Sequence, residues 1–450
     1  MMLLTELQPD SKKQLIWEKV KENQIQFIRL QFTDIFGFAK NVAITTDELD
    51  KALNGELMFD GSSIDGFARI EESDMYLMPD PDTFQPITWR PDEKGVAYMF
   101  CDVYTTDGKP FEGCPRNILK RALNEAKEMG YTLNVGPEGE FFLFYTDEKG
   151  RPVFDIHDDA GYFDLSPVDK GEDARRDIIL TMRKLGFSIE ASHHEVAPGQ
   201  HEVDFKYDEA LRMADKWMIF KQIVKNIAQA HGLYASFIPK PFSGQNGNAM
   251  HCNQSLVKDG INAFFDENDE RGLSEAAHYY IGGLLTHAKG MAAICNPTIN
   301  SYKRLLPGYE APTNIAWSAS NRSALIRIPI GTQKSTRIEL RNPDPTANPY
   351  LVFAVMLKAG LEGIKKKMTP PPAVDKNIYD MNSAERNDYQ IQRFPRSLQE
   401  ALDHMEQDPL MKETLGEHTF YSYLNAKRKE WEEYAEEVHT WEIRRYLKQY

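Results

Sequence analysis

The sequence predicts a mixed α and β protein, with a small β-rich domain at the N-terminus and a larger α/β domain after it. The chain has 450 residues, which is more than one small hydrophobic core usually organises. Residues 25–105 alternate strand-like runs with polar turns, and the four prolines within residues 79–91 disfavour long helices. From Pro115 onwards helical and strand-like segments alternate, as in a sheet covered by helices.

Hydrophobic spacing assigns the individual elements in chain order. In the N-terminal part it predicts strands over residues 25–32 and 96–103. The first helix of the larger part is predicted from Pro115, through the helical spacing of residues 117–129, to a stop at Gly130. Similar spacing predicts further helices over residues 172–185, 208–231, 274–295 and 347–366.

The C-terminal part begins after a proline-rich break at residues 369–372. Ser397 and Glu400 have the spacing of a capping box, which predicts the start of a helical C-terminus. This tail is rich in tryptophan, tyrosine and charge, so it either packs against the body of the protein or contacts another subunit.

Charge and cysteine content narrow the class of protein. The formal net charge of −15 argues against nucleic-acid binding, so an anionic small substrate would need clustered arginines. The cysteines at 101, 114, 252 and 295 form no Cys-x-x-Cys pair, which favours a reducing cytoplasm. The N-terminal apolar stretch is too short for a signal peptide, and no run approaches the length of a membrane span.

Five glutamates and one histidine in strand-like segments form the most informative pattern. Side chains of a strand alternate between its faces, so the pair in Glu-x-Glu points one way, about 7 Å apart. Oxygen ligands with one imidazole and no thiolate favour Mg²⁺ or Mn²⁺ over zinc. Paired hard cations indicate phosphoryl chemistry. The residues are Glu138, Glu140, Glu195, Glu202, His251 and Glu339.

Each of these residues taken alone also fits a solvated surface side chain or a hydrogen-bonded structural histidine. The Glu-x-Glu pair is more specific, because ionised carboxylates in an apolar strand are rarely buried unless they are paired or bound to metal. The conjunction of all six carries the prediction of a metal site.

A basic segment accompanies the last of these glutamates. Residues 322–341 interleave Glu339 with cations that suit phosphate or carboxylate groups. Without Glu339 the segment would be read as a solvated basic edge. Neither a P-loop nor a Gly-x-Gly-x-x-Gly motif opens a helix, so nucleotide handling must rest on other residues. The cations are Arg322, Arg327, Lys334, Arg337 and Arg341.

Six longer motifs follow one another along the chain. They are MFDGSS at 58–63, PEGEFF at 137–142, SHHEVAPGQ at 192–200, NSYKRL at 300–305, PGYEAP at 307–312 and NPDPTANPY at 342–350. Together, and in this order, they resemble the motifs of bacterial type I glutamine synthetase. The resemblance extends from about residue 15 to the C-terminus. Gly139 departs from the family, which usually has proline or leucine at this position, but its side chain should face away from the metals.

The resemblance implies an α+β fold made of a β-grasp-like domain at residues 15–110 and a catalytic domain at 111–450. The catalytic domain should contain a mainly antiparallel, curved sheet that forms the active site, and residues 1–14 should be a flexible extension. The implied activity is ATP-dependent ligation of ammonia to L-glutamate through γ-glutamyl phosphate, with two Mg²⁺ or Mn²⁺ ions per site. A third ion that accompanies ATP is left open.

The resemblance also implies roles for single residues. Glu140, Glu195 and Glu202 would hold the ion nearer glutamate, and Glu138, His251 and Glu339 the ion between the ATP phosphates. Arg322 and Arg341 would assist phosphoryl transfer, and Asn246, Gly247, Arg304, Glu310 and Arg341 would bind glutamate. Glu190, Ser255, Arg327 and Lys334 would contact ATP. Asp60 would deprotonate ammonium, and Glu310 would belong to a flap over the acyl phosphate.

In this family Asp60 serves the active site of a neighbouring subunit, so the resemblance implies a dodecamer of two stacked hexamers. The segment after the Glu-x-Glu strand, residues 145–163, is short and lacks the insertion of the subtype that is switched by adenylylation. The segment GFARIEESD at 66–74 resembles the other subtype, that of low-GC Gram-positive bacteria, in which Arg69 takes part in feedback inhibition by glutamine. Tyr379 matches the adenylylation position of the other subtype, and we expect it to be unmodified. A nitrogen-responsive transcription regulator is a further expected partner.

Two other functions remain open at this stage. A γ-glutamyl-polyamine synthetase would keep the fold and the acyl phosphate but use another acceptor, and Asp60 with Glu310 argues against it. A non-catalytic assembly or regulator-binding descendant would be expected to lose metal ligands, and all six are present.

Overall fold

A computed structural model describes residues 9–64, 66, 74–90, 95–319, 321, 323–376 and 378–450. The predicted regulatory residue Arg69 and the predicted phosphoryl-transfer residue Arg322 lie outside the described residues.

The N-terminal part is a sheet with the order β2-β1-β6-β4-β3, and β5 adds to β6. β1 runs parallel to β6 and antiparallel to β2, and β3 forms an edge next to β4. The predicted strands at 25–32 and 96–103 are confirmed as β1 and β6. The elements are α1 (Pro9–Glu22), β1 (Phe27–Thr33), β2 (Ala39–Thr45), α2 (Leu49–Leu53), β3 (Leu57–Asp60), β4 (Asp74–Pro79), β5 (Gln85–Pro86) and β6 (Val96–Thr105).

Helix α1 begins within the segment that was expected to be a flexible extension, so residues 9–14 are helical. Its buried residues Ile16 and Val20 join the core of the N-terminal sheet. The predicted domain boundary at residues 110 and 111 lies in the connection between β6 and the next helix.

The larger part contains a curved sheet with the order β18-β15-β16-β17-β13-β7-β10-β9. Among the described strands its neighbours are antiparallel except β15 with β16, as expected for the family. The strands are β7 (Thr132–Thr146), β8 (Pro152–Ile156), β9 (Ile189–His194), β10 (Gln200–Phe205), β11 (Asp208–Glu209), β12 (Leu233–Ser236), β13 (Cys252–Lys258), β14 (Ile261–Asn262), β15 (Asn314–Ser318), β16 (Ala324–Arg327), β17 (Ile338–Leu340) and β18 (Gln392–Arg393).

The larger part also contains helices, among them the buried helix α9, whose residues belong to the main hydrophobic core. They are α3 (Pro115–Glu128), α4 (Glu172–Lys184), α5 (Ala210–Ala230), α6 (Glu275–Thr286), α7 (Ala288–Cys295), α8 (Ser301–Arg304), α9 (Pro349–Lys366), α10 (Ser383–Asp388), α11 (Leu398–Gln407), α12 (Pro409–Leu415), α13 (Glu417–Glu436) and α14 (Thr440–Tyr446). Within the described residues, no helix is both long and apolar enough to cross a lipid bilayer.

Two local predictions differ from the structure. The helix predicted over 274–295 is broken at His287, whose ring lies 2.8 Å from Asp408 Oδ2 and 2.6 Å from Glu362 Oε2. The capping box at α11 is only half formed. Ser397 accepts from the backbone N–H of Glu400 at 3.2 Å, but the Glu400 carboxylate accepts from Arg396 at 2.9 Å.

A buried cluster of charges connects the two parts of the chain. Arg116 on α3 lies 2.6 Å from Asp80 and 2.8 Å from Asp102 in the N-terminal part, and 2.9 Å from Asp215 on α5. The hydroxyl of Tyr350 donates to Asp215 at 2.7 Å. Because removing one partner would leave buried charges uncompensated, this cluster favours a fixed relation between the two parts.

Candidate active site

The long strand β7 and its neighbours form a cavity of about 270 Å³. Most of the predicted metal ligands line it, namely Glu138, Glu140, Glu195, Glu202 and His251. Glu339 on β17 lies behind His251, with its carboxylate 3.8 Å from the imidazole Nδ1. The structure therefore brings all six residues to one place, although they come from β7, β10, β17 and two connecting segments.

The sheet register sets carboxylates directly opposite each other. Glu140 on β7 pairs with Glu202 on β10, and Glu138 pairs with Asp204 two residues further along. Like charges directly opposite across two strands destabilise a sheet unless something screens them. Burial, together with the charge of Glu140, raises the pKa of Glu202 well above its usual value. Burial, together with the charge of Glu195, does the same for Glu140.

Glu140, Glu195 and Glu202 line the first cavity as one group of possible ligands, and Glu138, His251 and Glu339 form a second group. His251 Nδ1 lies 2.8 Å from Glu138 Oε2, and Asn253 donates to the other oxygen of Glu138 at 2.9 Å. Burial and the nearby Arg341 lower the pKa of His251 well below its usual value, which keeps the ring neutral and able to offer a lone pair.

The ligand atoms of both groups are of the kind that divalent cations bind. The Glu339 side chain is buried, and its Oε2 has no hydrogen-bond partner within the described residues. Arg327 Nη1 lies 2.9 Å from that oxygen, but it is not oriented to form a hydrogen bond. Carboxylate oxygens in excess, one neutral imidazole and a buried oxygen without a donor are what a hard cation requires.

A second cavity of about 460 Å³ adjoins the first. Three of the predicted ATP contacts line it, namely Glu190, Ser255 and Lys334, whereas Arg327 lines the first cavity. Glu138 and Asp204 line both cavities, so the two spaces meet at these carboxylates. An anionic end of a ligand in the second cavity would thus lie next to a cation bound by the second group of possible ligands.

The predicted glutamate contacts form the opposite wall of the first cavity. Asn246, Gly247, Arg304 and Arg341 all line it. The buried guanidinium of Arg304 donates to the backbone oxygens of Asn342 at 2.8 Å and Arg341 at 3.0 Å. At Gly247 a Cβ atom would lie 2.2 Å from the backbone oxygen of Pro239, so the close approach of these two segments requires glycine.

Glu310 also lines the first cavity, and its side chain is exposed. Its backbone has φ 55°, a left-handed conformation that is uncommon for a residue other than glycine. Arg341 Nη2 donates to the backbone oxygen of Glu310 at 3.4 Å, and Arg341 Nη1 contacts Glu339. Arg341 therefore connects the Glu310 segment to Glu339 of the second group of possible ligands.

Two predicted residues lie elsewhere. Asp60 is exposed at the end of edge strand β3, accepts from the backbone N–H of Ser62 at 2.8 Å and lines neither cavity. The Ser62 contact lowers the pKa of Asp60. Tyr379 lies in a short 3₁₀ turn, Ile378–Asp380. The side chain of Tyr379 lies outside the part of the chain that the structure describes.

Sequence reasoning missed several residues that the structure places in the site. Asp204 lines both cavities, and its Oδ1 is buried without a hydrogen-bond partner among the described residues. The signal was available, because Glu202-x-Asp204 repeats the spacing of the Glu-x-Glu pair on the facing strand. His193 belongs to one group with Glu195 and Glu202, and Tyr309 lines the first cavity.

Fold and site together define a two-domain enzyme whose acidic cavity suits divalent cations. The family model for "Glutamine synthetase, beta-Grasp domain" matches residues 24–106, and the model for "Glutamine synthetase, catalytic domain" matches residues 112–446. The chain belongs to the glutamine synthetase family.

Individual relatives agree with this result. A glutamine synthetase of Clostridium saccharobutylicum is 58% identical over 438 residues, covering 97% of this chain and 99% of its own. A glutamine synthetase of Staphylococcus aureus is 53% identical over 439 residues, covering 97% and 98% respectively. Among solved structures, a GmaS/ADP complex has a TM-score of 0.87 at 33% identity, covering 96% of this chain and 99% of its own.

These relatives fit the bacterial type I group of low-GC Gram-positive bacteria. The activity is that of a glutamate–ammonia ligase, which joins ammonia to L-glutamate with conversion of ATP to ADP and phosphate through γ-glutamyl phosphate. ATP and divalent metal ions are used in this reaction.

Proposed function

We propose that the two groups of ligands in the first cavity hold the two catalytic ions. Glu140, Glu195 and Glu202 would bind one, and Glu138, His251 and Glu339 the other. The observation that carries this proposal is the register of β7 and β10, which places ionisable carboxylates directly opposite each other. The hard oxygen donors favour Mg²⁺ or Mn²⁺, which when bound would screen the anions that meet during phosphoryl transfer.

The arginines and the backbone of the cavity would position the two substrates. Arg304 and Arg341, with Asn246 and the backbone of Gly247, offer positive charge and hydrogen-bond donors to glutamate. Glu190, Ser255 and Lys334 would hold the nucleotide in the adjoining cavity, and Arg327 would meet its phosphate end. The γ-carboxylate of glutamate would attack the γ-phosphorus of ATP, and ADP would leave with the electrons of the broken P–O bond.

Ammonium must lose a proton before its nitrogen can attack the γ-carbonyl carbon of the acyl phosphate and displace phosphate. As the sequence resemblance implies, the carboxylate of Asp60 from a neighbouring subunit would accept this proton. In keeping with that role, Asp60 is exposed on an edge strand and lines neither cavity of its own chain. Glu310 would shield the acyl phosphate from water and help to bind ammonium. Arg322, from the sequence resemblance, remains the proposed second arginine for phosphoryl transfer.

Assembly follows from this assignment, since a single chain would lack the ammonia base. We propose a dodecamer of two stacked hexamers, in keeping with the family. Helix α14 supports a subunit contact, because it exposes Trp441 to 58% and Ile443 to 46%. Apolar side chains grouped in this way usually mark an interaction surface.

Regulation and location complete the proposal. Glutamine feedback through Arg69, an unmodified Tyr379 and a nitrogen-responsive transcription regulator follow from the subtype that the motifs resemble. The buried cysteines are free thiols, which fits a reducing cytoplasm.

The proposal is tested by measuring both product formation and metal binding. Phosphate release that depends on ATP and glutamate should require ammonium, and putrescine should not replace it. Calorimetric titration of Mn²⁺ should show two sites in the wild type, and Glu140→Gln and Glu339→Gln should each weaken a different one. Two unchanged sites in both variants would contradict the ligand assignment, and efficient use of putrescine would contradict the acceptor.

A further inference from the structure

Lys240 and Tyr309 form a contact behind the wall of the first cavity. The ammonium nitrogen of Lys240 lies 3.7 Å from the centroid of the Tyr309 ring. Lys240 is only 6% exposed, and among the described residues no carboxylate forms an ion pair with it. A cation over an aromatic face is attracted by the ring quadrupole, and this attraction grows where water is excluded. The ring of Tyr309 therefore stabilises a buried positive charge.

Lys240 itself is firmly held. Its backbone N–H donates to Asn300 Oδ1 at 2.7 Å, and Asn300 Nδ2 donates back to the Lys240 oxygen at 3.0 Å. Its ammonium group donates to the backbone oxygen of Gln245, next to the glutamate-binding residues Asn246 and Gly247. Burial, aided by the charge of Arg304, lowers the pKa of Lys240 to about 8, so the group remains a cation at neutral pH.

Tyr309 belongs to a much more exposed segment. Gly308 before it and Glu310 after it are both exposed, and Glu310 adopts the left-handed conformation. The Tyr309 ring nevertheless lines the cavity together with Glu310. Because the two residues are adjacent, the position of the ring limits where the Glu310 carboxylate can lie.

We propose that Lys240 is a positioning residue, which holds the Tyr309 ring by a cation–π contact and thereby keeps Glu310 at the cavity while γ-glutamyl phosphate waits for ammonia. This inference rests on the proposed function of Glu310. If the contact is lost, Glu310 leaves its place more often, and water hydrolyses the acyl phosphate to glutamate and phosphate. ATP is then consumed without glutamine.

The test measures the fraction of phosphate released without glutamine at limiting ammonium. Lys240→Met and Tyr309→Leu should each raise this fraction by a similar factor, roughly 2- to 30-fold, the range that a cation–π contact supports. The double variant should raise the fraction no further than either single variant does. Tyr309→Phe keeps the ring and Lys240→Arg keeps the cation, so the fraction should stay close to the wild-type value in both.

A matched control is available, because Lys258 lies over the ring of Tyr131 at 5.4 Å and neither residue lines the cavities. Lys258→Met should leave the fraction unchanged. If Lys240→Met leaves it unchanged, or if the effects of Lys240→Met and Tyr309→Leu multiply, the inference is wrong. If Lys240→Met does not fold, Tyr309→Phe and Tyr309→Leu are compared instead. An equal rise of the fraction in these two variants would also show that the inference is wrong.

Glu310→Ala separates this inference from the function on which it depends. If Glu310→Ala does not raise the fraction of phosphate released without glutamine, the proposed role of Glu310 is wrong and the inference is wrong with it. If Glu310→Ala raises this fraction but Lys240→Met does not, only the role of Lys240 is refuted. In the Glu310→Ala background, Lys240→Met should not raise the fraction further.

Discussion

Replacing Glu202 by glutamine should stabilise the metal-free protein and at the same time weaken its response to metal. Glu202 and Glu140 are 8% and 6% exposed and lie directly opposite on β10 and β7. Two unit charges about 5 Å apart repel by about 3 kcal/mol at an effective dielectric constant of about 20. Glutamine keeps the shape but removes one charge, so about 3 kcal/mol is the upper limit of the gain.

The assay is thermal unfolding of wild type and Glu202→Gln, first with a chelator and then over a series of Mn²⁺ concentrations. An ion that binds only the folded state adds about 2.7 kcal/mol when its concentration is 100 times its Kd. The melting temperature of the wild type should therefore rise markedly with Mn²⁺. The variant should have a higher melting temperature than the wild type without metal, and a smaller rise with Mn²⁺. Glu148→Gln, at an exposed turn position after β7, is the matched control and should behave as the wild type.

If Glu202→Gln is less stable than the wild type without metal and keeps the full Mn²⁺ response, the facing carboxylates do not repel and do not bind the ion. Both results together would mean that Glu202 is an ordinary buried group, whose loss lowers the stability but leaves metal binding unchanged.

Further predictions address other parts of the protein. Asp60→Ala should reduce glutamine formation about 100-fold or more at low ammonium, as expected for loss of a general base, while the Kd for ATP stays constant; weaker ATP binding would contradict the assignment. Lys334→Met should raise the KM for ATP about two- to tenfold, because an exposed charge contributes modestly; a change in the KM for glutamate alone would contradict it. Arg69→Ala should raise the glutamine concentration for half-inhibition at least about fivefold, with light scattering to confirm assembly; an unchanged inhibition curve would refute it. Asp408 and Glu362 raise the pKa of His287 despite its burial, so their contribution to stability is present below pH 6.5 and is lost as the pH rises through the raised pKa. His287→Gln should flatten this decline in chemical unfolding, and an equally steep decline would contradict it.

The sequence predicted the elements that follow from local pattern. Helices α3, α4, α5 and α9 begin and end within two residues of their predicted limits, because apolar spacing and stop residues act locally. The break at His287 could not be read in the same way. At this position the imidazole contacts Asp408 and Glu362, which are distant in sequence, so no local pattern marks His287.

The same distinction holds for the site. Glu138 and Glu140 were recognisable because two charges on one face of an apolar strand need a local reason. Asp204 repeats the same spacing after Glu202, but only the pairing of β10 with β7 puts it opposite Glu138. Lys240 offered no signal at all, since its contact with Tyr309 joins segments about 70 residues apart, a separation across which local patterns carry no information.

Strand β7 has a consequence for how the length of this protein can vary. Residues 132–137 of β7 pair with β13, and residues 138–142 pair with β10, so this one strand carries Glu138 and Glu140, one from each proposed group of ligands, and lines both cavities. Deleting a single residue there would turn every later side chain to the opposite face and remove both groups together. Insertions and deletions can therefore be tolerated only beyond the strand, as in the turn where Asp147 N–H donates to the Arg151 oxygen at 2.9 Å. Related chains that gain or lose sequence should do so at that turn and keep β7 at constant length.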